Sequence, residues 1–263
     1  MVKPMLICLN TQALRHAWHA VVRVSLCVVL FCSCVGFTAQ AIGANAVAVV
    51  DVDQAPVPDT IGQRLLACTA CHGKQGRAAS DGYYPRIAGK PAGYLYNQLV
   101  NFRSGRRQYP MMTYMVDHMS DTYLREIADY FSDQHPPYPL PQPFTLSTAD
   151  FQRGQTLVQH GDISKKIPAC IACHGAAMTG VLPATPGLLG LPRDYLVAQI
   201  GAWQTGVRHA AAPDCMSQVA KRLSAADIGA VASWLAAQPV PEGAAAAAPS
   251  ALKLPLACGS VPH

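Results

Sequence analysis

The alternation of apolar and polar positions divides the chain into an apolar head, two helical units and a proline-rich tail. The head is the run from Val24 to Phe37, preceded by Arg15 and Arg23 and closed by Ala39-Gln40-Ala41. A run of fourteen residues is short for a membrane span. A small-x-small cleavage pattern behind them fits an export signal over residues 1–41, with the mature chain beginning near Ile42. An uncleaved anchor starting near Ala20 is the alternative. Cys32 and Cys34 lack the sequence context of a lipoprotein cysteine. Residues 42–57 read as a leader.

The rest shows helical periodicity. Asp59 or Thr60 can cap a helix running from Ile61 into a cysteine motif. Tyr94, Leu95, Gln98, Leu99 and Phe102 recur at helical spacing up to Arg103, and Ser120-Asp121 opens a last helix with Leu124, Ile127, Ala128 and Phe131 on one face. Corresponding helices are predicted from about Asp150, Arg193 and Ser224. No stretch sustains strand alternation, so the fold class is all-α. Prolines at 136, 137, 139, 141 and 143 cannot continue a helix and mark a linker over 136–146. The expected organisation is an N-terminal domain at 58–135, a C-terminal domain at 147–239 and an Ala/Pro-rich tail at 240–263.

The two domains are copies. Cys68-Thr69-Ala70-Cys71-His72-Gly73 matches Cys170-Ile171-Ala172-Cys173-His174-Gly175. Pro85, Gly89, Pro91, Tyr94, Leu95, Gln98, Gly105 and Arg107 match Pro186, Gly190, Pro192, Tyr195, Leu196, Gln199, Gly206 and Arg208. After a three-residue insertion, Met112, Ser120, Ile127, Ala128 and Tyr130 match Met216, Ser224, Val231, Ala232 and Trp234. A duplication accounts for this register. Gly62 and Gly154 are placed to let the first and last helices of each copy cross closely, against Tyr130 and Trp234.

Composition narrows the class. Half of the chain is hydrophobic and 13% is charged, which fits a compact protein and not a disordered one. The net charge of +5 includes Lys3, Arg15 and Arg23 of the signal, so the remainder carries only +2 and no nucleic-acid footprint. Arg103, Arg106 and Arg107 read as a solvated face or as partners for propionates.

Two Cys-x-x-Cys-His motifs carry the chemistry. Two thiols a helical turn apart can form thioethers to porphyrin vinyl groups, and the following His can bind iron. Cys68, Cys71, Cys170 and Cys173 are therefore the expected attachment sites of two covalent haem c groups, with His72 and His174 as axial ligands. A thioredoxin-type dithiol lacks its βαβ context here and leaves the histidines unexplained. Zinc half-sites rarely lie 99 positions apart, as Cys71 and Cys170 do. For the other axial position, a thioether favours ferrous iron. Met111, Met112, Met115 and Met119 all compete in the first copy. Met216 stands eight residues before Ser224, as Met112 does before Ser120, so Met112 and Met216 are the expected pair. Met178 reads as packing, and His118 and His209 as surface residues without counterparts. Carbonyls near Pro85 and Pro186 are expected to orient the two histidines.

These motifs, with Pro-x-x-x-Gly, Tyr-Leu-x-x-Gln, Gly-x-Arg and Met-x7-Ser, resemble those of the dihaem cytochrome c4 family over about Pro58 to Gln238. The resemblance implies two class I cytochrome c domains with His/Met-ligated haems. It implies a periplasmic carrier delivering electrons to a terminal oxidase or similar acceptor, with no catalytic residues of its own. Its redox partners would be an oxidase, a bc1-type complex or a dehydrogenase, and peripheral association with the inner membrane is compatible with it. A permanent cytochrome subunit of a dehydrogenase complex is the alternative, and a dihaem peroxidase a weaker one. The chain departs from the family in an insertion over Gln159 to Pro168, in Cys215 beside Met216, and in a tail carrying Cys258. Once the signal and the haem thiols are set aside, Cys215 and Cys258 remain, as a disulfide or as two free thiols.

Overall fold

The computed structural model describes residues 58–79, 82–249 and 254–261. The export signal and the leader lie outside the described residues. Contacts gather residues 55–263 into one compact unit.

In the first half the Thr60 hydroxyl accepts from Gln63 N–H and starts α1 (Ile61–Arg64), while Asp59 instead pairs with Arg64 at 2.6 Å. The predicted continuous helix breaks at Leu65, whose backbone (φ −91°, ψ 6°) ends α1 and starts α2 (Leu66–His72). Leu65 is buried, so this corner turns the cysteine motif over the core. Next come α3 (Ala92–Arg103), α4 (Pro110–Val116) and α5 (Asp121–Ser132). Ser120 caps α5 by accepting from Tyr123 N–H, and Leu124, Ile127, Ala128 and Phe131 are buried on its inner face, as the periodicity predicts. They pack with Leu95 and Phe102 of α3.

The second half repeats the plan with α6 (Thr148–Gln159), α7 (Ile171–His174), α8 (Arg193–Thr205), α9 (Cys215–Ala220) and α10 (Ala225–Ala236). Ser147, three residues before the expected start, caps α6 through Asp150 N–H. Ser224 and Asp227 form a reciprocal capping box at α10. The insertion over Gln159 to Pro168 folds as a 3-10 turn at Ile163–Lys165, held by Asp162 and Arg153. One departure from an all-helical chain is a minimal hairpin, β1 (Gly180–Val181) with β2 (Thr185–Pro186), too short to alter the class.

The proline-rich stretch is extended and tied down at several points. Arg86 donates to the carbonyls of Pro136 (2.5 Å) and Pro137 (3.0 Å) and lies 3.8 Å from the Tyr138 ring centre. Gln142 N–H reaches Ala236 O at 2.8 Å. The two halves also touch directly: Gln108 N–H donates to Val207 O, and His209 N–H to Arg106 O.

Candidate cofactor site

Both Cys-x-x-Cys-His motifs sit on short helices that end at the histidine, and Gly73 and Gly175 then take positive φ to turn the chain away. Cys68, Cys71, Cys170 and Cys173 are free thiols lining a cavity of about 790 Å³. Burial pushes the Cys170 thiol up to about 11, and those of Cys68 and Cys173 in the same direction. A redox dithiol needs the opposite, a thiol shifted toward thiolate. The zinc reading also lacks support, since no three His, Cys, Asp or Glu side chains converge as a metal cluster among the described residues.

His72 and His174 are both 7% exposed and line this cavity. His72 Nδ1–H donates to Pro85 O at 2.9 Å, and His174 Nδ1–H to Pro186 O at 2.8 Å. A carbonyl only accepts, so each bond places the proton on Nδ1 and leaves Nε2 as a bare donor atom. Burial holds both imidazoles below the ordinary histidine value, with the proline carbonyls pulling the other way. Neutral imidazoles with a fixed tautomer are the form that binds a metal.

Met112 and Met216 also line the cavity, from α4 and α9. Each lies in the first turn of a short helix that follows an extended residue, Tyr109 or Asp214. Met115 and Met119 line the cavity too and, like Met112, pack on the first core, and Met111 lines it while 56% exposed. Met178 is buried in the second core, the His118 side chain is 97% exposed, and His209 is exposed.

A polar cluster crosses between the halves and takes in Arg107, which the sequence offered as a solvated or propionate-facing residue. Arg107 donates to Gln98 (3.0 Å), Gln199 (2.6 Å) and the Tyr195 hydroxyl (3.1 Å). Arg208 mirrors it, donating to Gln199 (2.7 Å), Gln98 (2.9 Å) and the Tyr94 hydroxyl (3.4 Å). Every member has its duplicate in the repeat, and that pairing was the available signal. Arg208 lies over the Trp203 ring and Arg107 over Phe102, the equivalent position. Lys90, without a duplicate, is buried and donates to Gly187 O at 2.7 Å.

These cations have no carboxylate partner among the described residues. Burial brings Arg208 down to about 10, with Arg107 adding repulsion, and Lys90 down to about 7, with Arg86 doing the same. Trp203 Nε1–H is buried beside them with no acceptor. Buried positive charge and an orphaned donor around an apolar cavity fit a flat apolar group with anionic arms. Haem, with its two propionates, has that chemistry.

No protein-family model matches the chain. It is 40% identical over 175 residues to the thiosulfate dehydrogenase electron acceptor of Thiomonas intermedia, covering 66% of this chain and 79% of that protein. Among solved structures, reduced cytochrome c4 from Pseudomonas stutzeri superposes with a TM-score of 0.59 at 30% identity, covering 67% of this chain and 95% of that one. Thiosulfate dehydrogenase from Marichromatium purpuratum superposes with the same TM-score at 31% identity, but over 66% of this chain and only 36% of that larger one.

Proposed function

This chain belongs to the dihaem cytochrome c4 family, whose members carry two covalently bound haem c groups and transfer electrons, and on that premise we propose that it is the periplasmic electron acceptor of a dehydrogenase. Thiosulfate dehydrogenase is the first candidate donor, and a terminal oxidase or similar carrier the acceptor downstream. The 40% identity to a protein named for that role supports the reading. The covalent haems supply reversible one-electron chemistry at iron.

Residues 58–135 and 147–239 are read as the two haem domains, joined at 136–146 and followed by the tail at 240–263. Cys68 and Cys71 hold one group by thioethers, and Cys170 and Cys173 the other. His72 and His174 would bind the irons through Nε2, each ring fixed by its proline carbonyl. Met112 and Met216 would supply sulfur as the second ligand of each iron. Arg107, Arg208, Lys90 and Trp203 would meet the propionates. One cavity is lined from both halves. Nothing in this set activates a substrate, which favours transfer over catalysis. The free-carrier and bound-subunit versions differ only in how long the donor stays attached. Among the described residues no helix is long and apolar enough to cross a membrane.

The test mixes ferric holoprotein with thiosulfate dehydrogenase and follows the α-band in stopped flow. Rapid reduction that requires both enzyme and thiosulfate is expected. No reduction by that enzyme, with full reduction by another periplasmic dehydrogenase, would redirect the donor assignment.

A further inference from the structure

Residues beyond Pro239 fall outside the duplication, yet the described part of this tail is fastened to the second half at two places. Ala247 N–H donates to Gly180 O (2.9 Å), and Leu182 N–H donates to Ala247 O (2.8 Å), so the tail pairs with β1 just after the second cysteine motif. Further on, Leu254 and Leu256 line the cavity. Cys258 is buried and bonded to Cys215, the residue before Met216. Gly259 N–H donates to Pro213 O (2.9 Å), and a Cβ on Gly259 would stand 2.1 Å from Ala212 O, so the chain lies flush on the loop leading into α9. Ser260 O then accepts from Asn97 of α3 in the first half (2.9 Å).

The first half has no counterpart to these ties among the described residues. Its α4 leaves Tyr114 80% exposed and Met111 56% exposed, and it is held by packing and by hydrogen bonds such as Thr113 Oγ1–H to Phe102 O (3.3 Å), with no covalent link. A methionine leaves iron when its side chain rotates or its short helix swings outward, and the second is a local opening with its own free energy. A covalent link to a segment anchored at several points restricts that open ensemble.

We propose that the tail is a strap, and that Cys258, through Cys215, is a positioning residue that locks Met216 onto the second haem. The first haem is then the one whose methionine exchanges with added ligands. This rests on the reading of Met216 as an axial ligand.

The experiment follows imidazole binding to ferric holoprotein through loss of the near-infrared methionine–iron band. Two phases are expected, and Met112→Ala should abolish the fast one, assigning it to the first haem. In Cys215→Ser/Cys258→Ser the slow phase should accelerate at least tenfold while the fast phase stays put. An unchanged slow phase overturns the strap. Met216→Ala separates the two failures: retention of both methionine bands there sinks the ligand assignment, whereas loss of one band with an unchanged slow phase sinks the strap alone. Should the double variant not accumulate, ferrous wild-type protein is tested with carbon monoxide, with and without a trialkylphosphine. The phosphine takes oxygen from water to become its oxide, and the two sulfurs take the hydrogens. Carbon monoxide binding at the second haem that appears only with phosphine supports the strap, and binding unaffected by phosphine refutes it.

Discussion

Asp227 shows how much one buried side chain can hold together. One of its oxygens accepts from Arg153 Nε (2.7 Å), and the other from Lys165 Nζ (2.9 Å), the Ser224 hydroxyl (2.8 Å) and Ser224 N–H (3.1 Å). Burial alone would raise its pKa, but these four donors outweigh burial and hold the carboxyl well below the ordinary value. A carboxyl depressed in the fold stabilises it fully above the unfolded value of about 4, and that stability is lost as pH falls further. The second half is therefore expected to be the acid-sensitive one. Trp203 and Trp234 are the only tryptophans after the signal, so their fluorescence reports on it selectively. Asp227→Asn should lower stability at pH 7 by roughly 1–3 kcal/mol and flatten the fall below pH 4, as read in urea melts at both pH values. A second expectation at this scale concerns the thioethers. Met112→Ala and Met216→Ala should each remove one methionine–iron band and lower one potential, because the ferrous state loses its preferred ligand. Loss of the first band in Met115→Ala but not in Met112→Ala would move the assignment along α4.

Among the elements, the helix crossings separate the two halves. A Cβ on Gly154 of α6 would stand 2.4 Å from Ala230 O and 2.9 Å from Trp234 Cβ of α10. At Gly62 of α1 the nearest atom is the Tyr130 hydroxyl oxygen at 3.5 Å, an ordinary contact. Gly154→Ala should accordingly force the helices apart and cost about 2–3 kcal/mol, whereas Gly62→Ala should be neutral or slightly stabilising through helix propensity. Thermal melts of both variants check the contrast. The sequence placed both glycines where the first and last helices of each copy cross, against Tyr130 and Trp234. It could not tell a backbone contact from a tyrosine tip, since that depends on how closely the helices approach. The long helices were legible for similar reasons: α3, α5, α8 and α10 carry clear caps or apolar faces. The short α4 and α9 were missed, because six or seven residues give too few turns for a periodicity. The break at Leu65 escaped as well, being set by what Leu65 buries and not by any helix-breaking residue. The cysteine motifs and the proline carbonyls beside the histidines could be read from spacing. The Arg–Gln–Tyr cluster showed only as duplicated positions, and its bonds could not be read because its partners come from opposite halves.

Across the whole molecule that cluster brings two guanidiniums together on shared glutamines and leaves them facing a common cavity. Positive charge near a haem favours the reduced state, since reduction adds negative charge there, and a low-dielectric setting lengthens the reach of the effect. Arg107 and Arg208 each bond residues of both halves, so either charge should act on both haems. Lys90 approaches only the second motif, through Gly187 beside the carbonyl that holds His174. Arg208→Gln is thus expected to lower both potentials by on the order of tens of millivolts, and Lys90→Met to lower mainly that of the second haem. Arg107→Gln should resemble Arg208→Gln, because the repeat places the two symmetrically. Spectroelectrochemical titration of the three variants, with the haems distinguished in a Met112→Ala background, measures each shift. If Arg208→Gln moved only one potential, the two halves would be electrostatically separate and the shared cavity would carry no coupling. If both moved together, the duplicated arginines would be the element that makes two cytochrome units respond as one carrier.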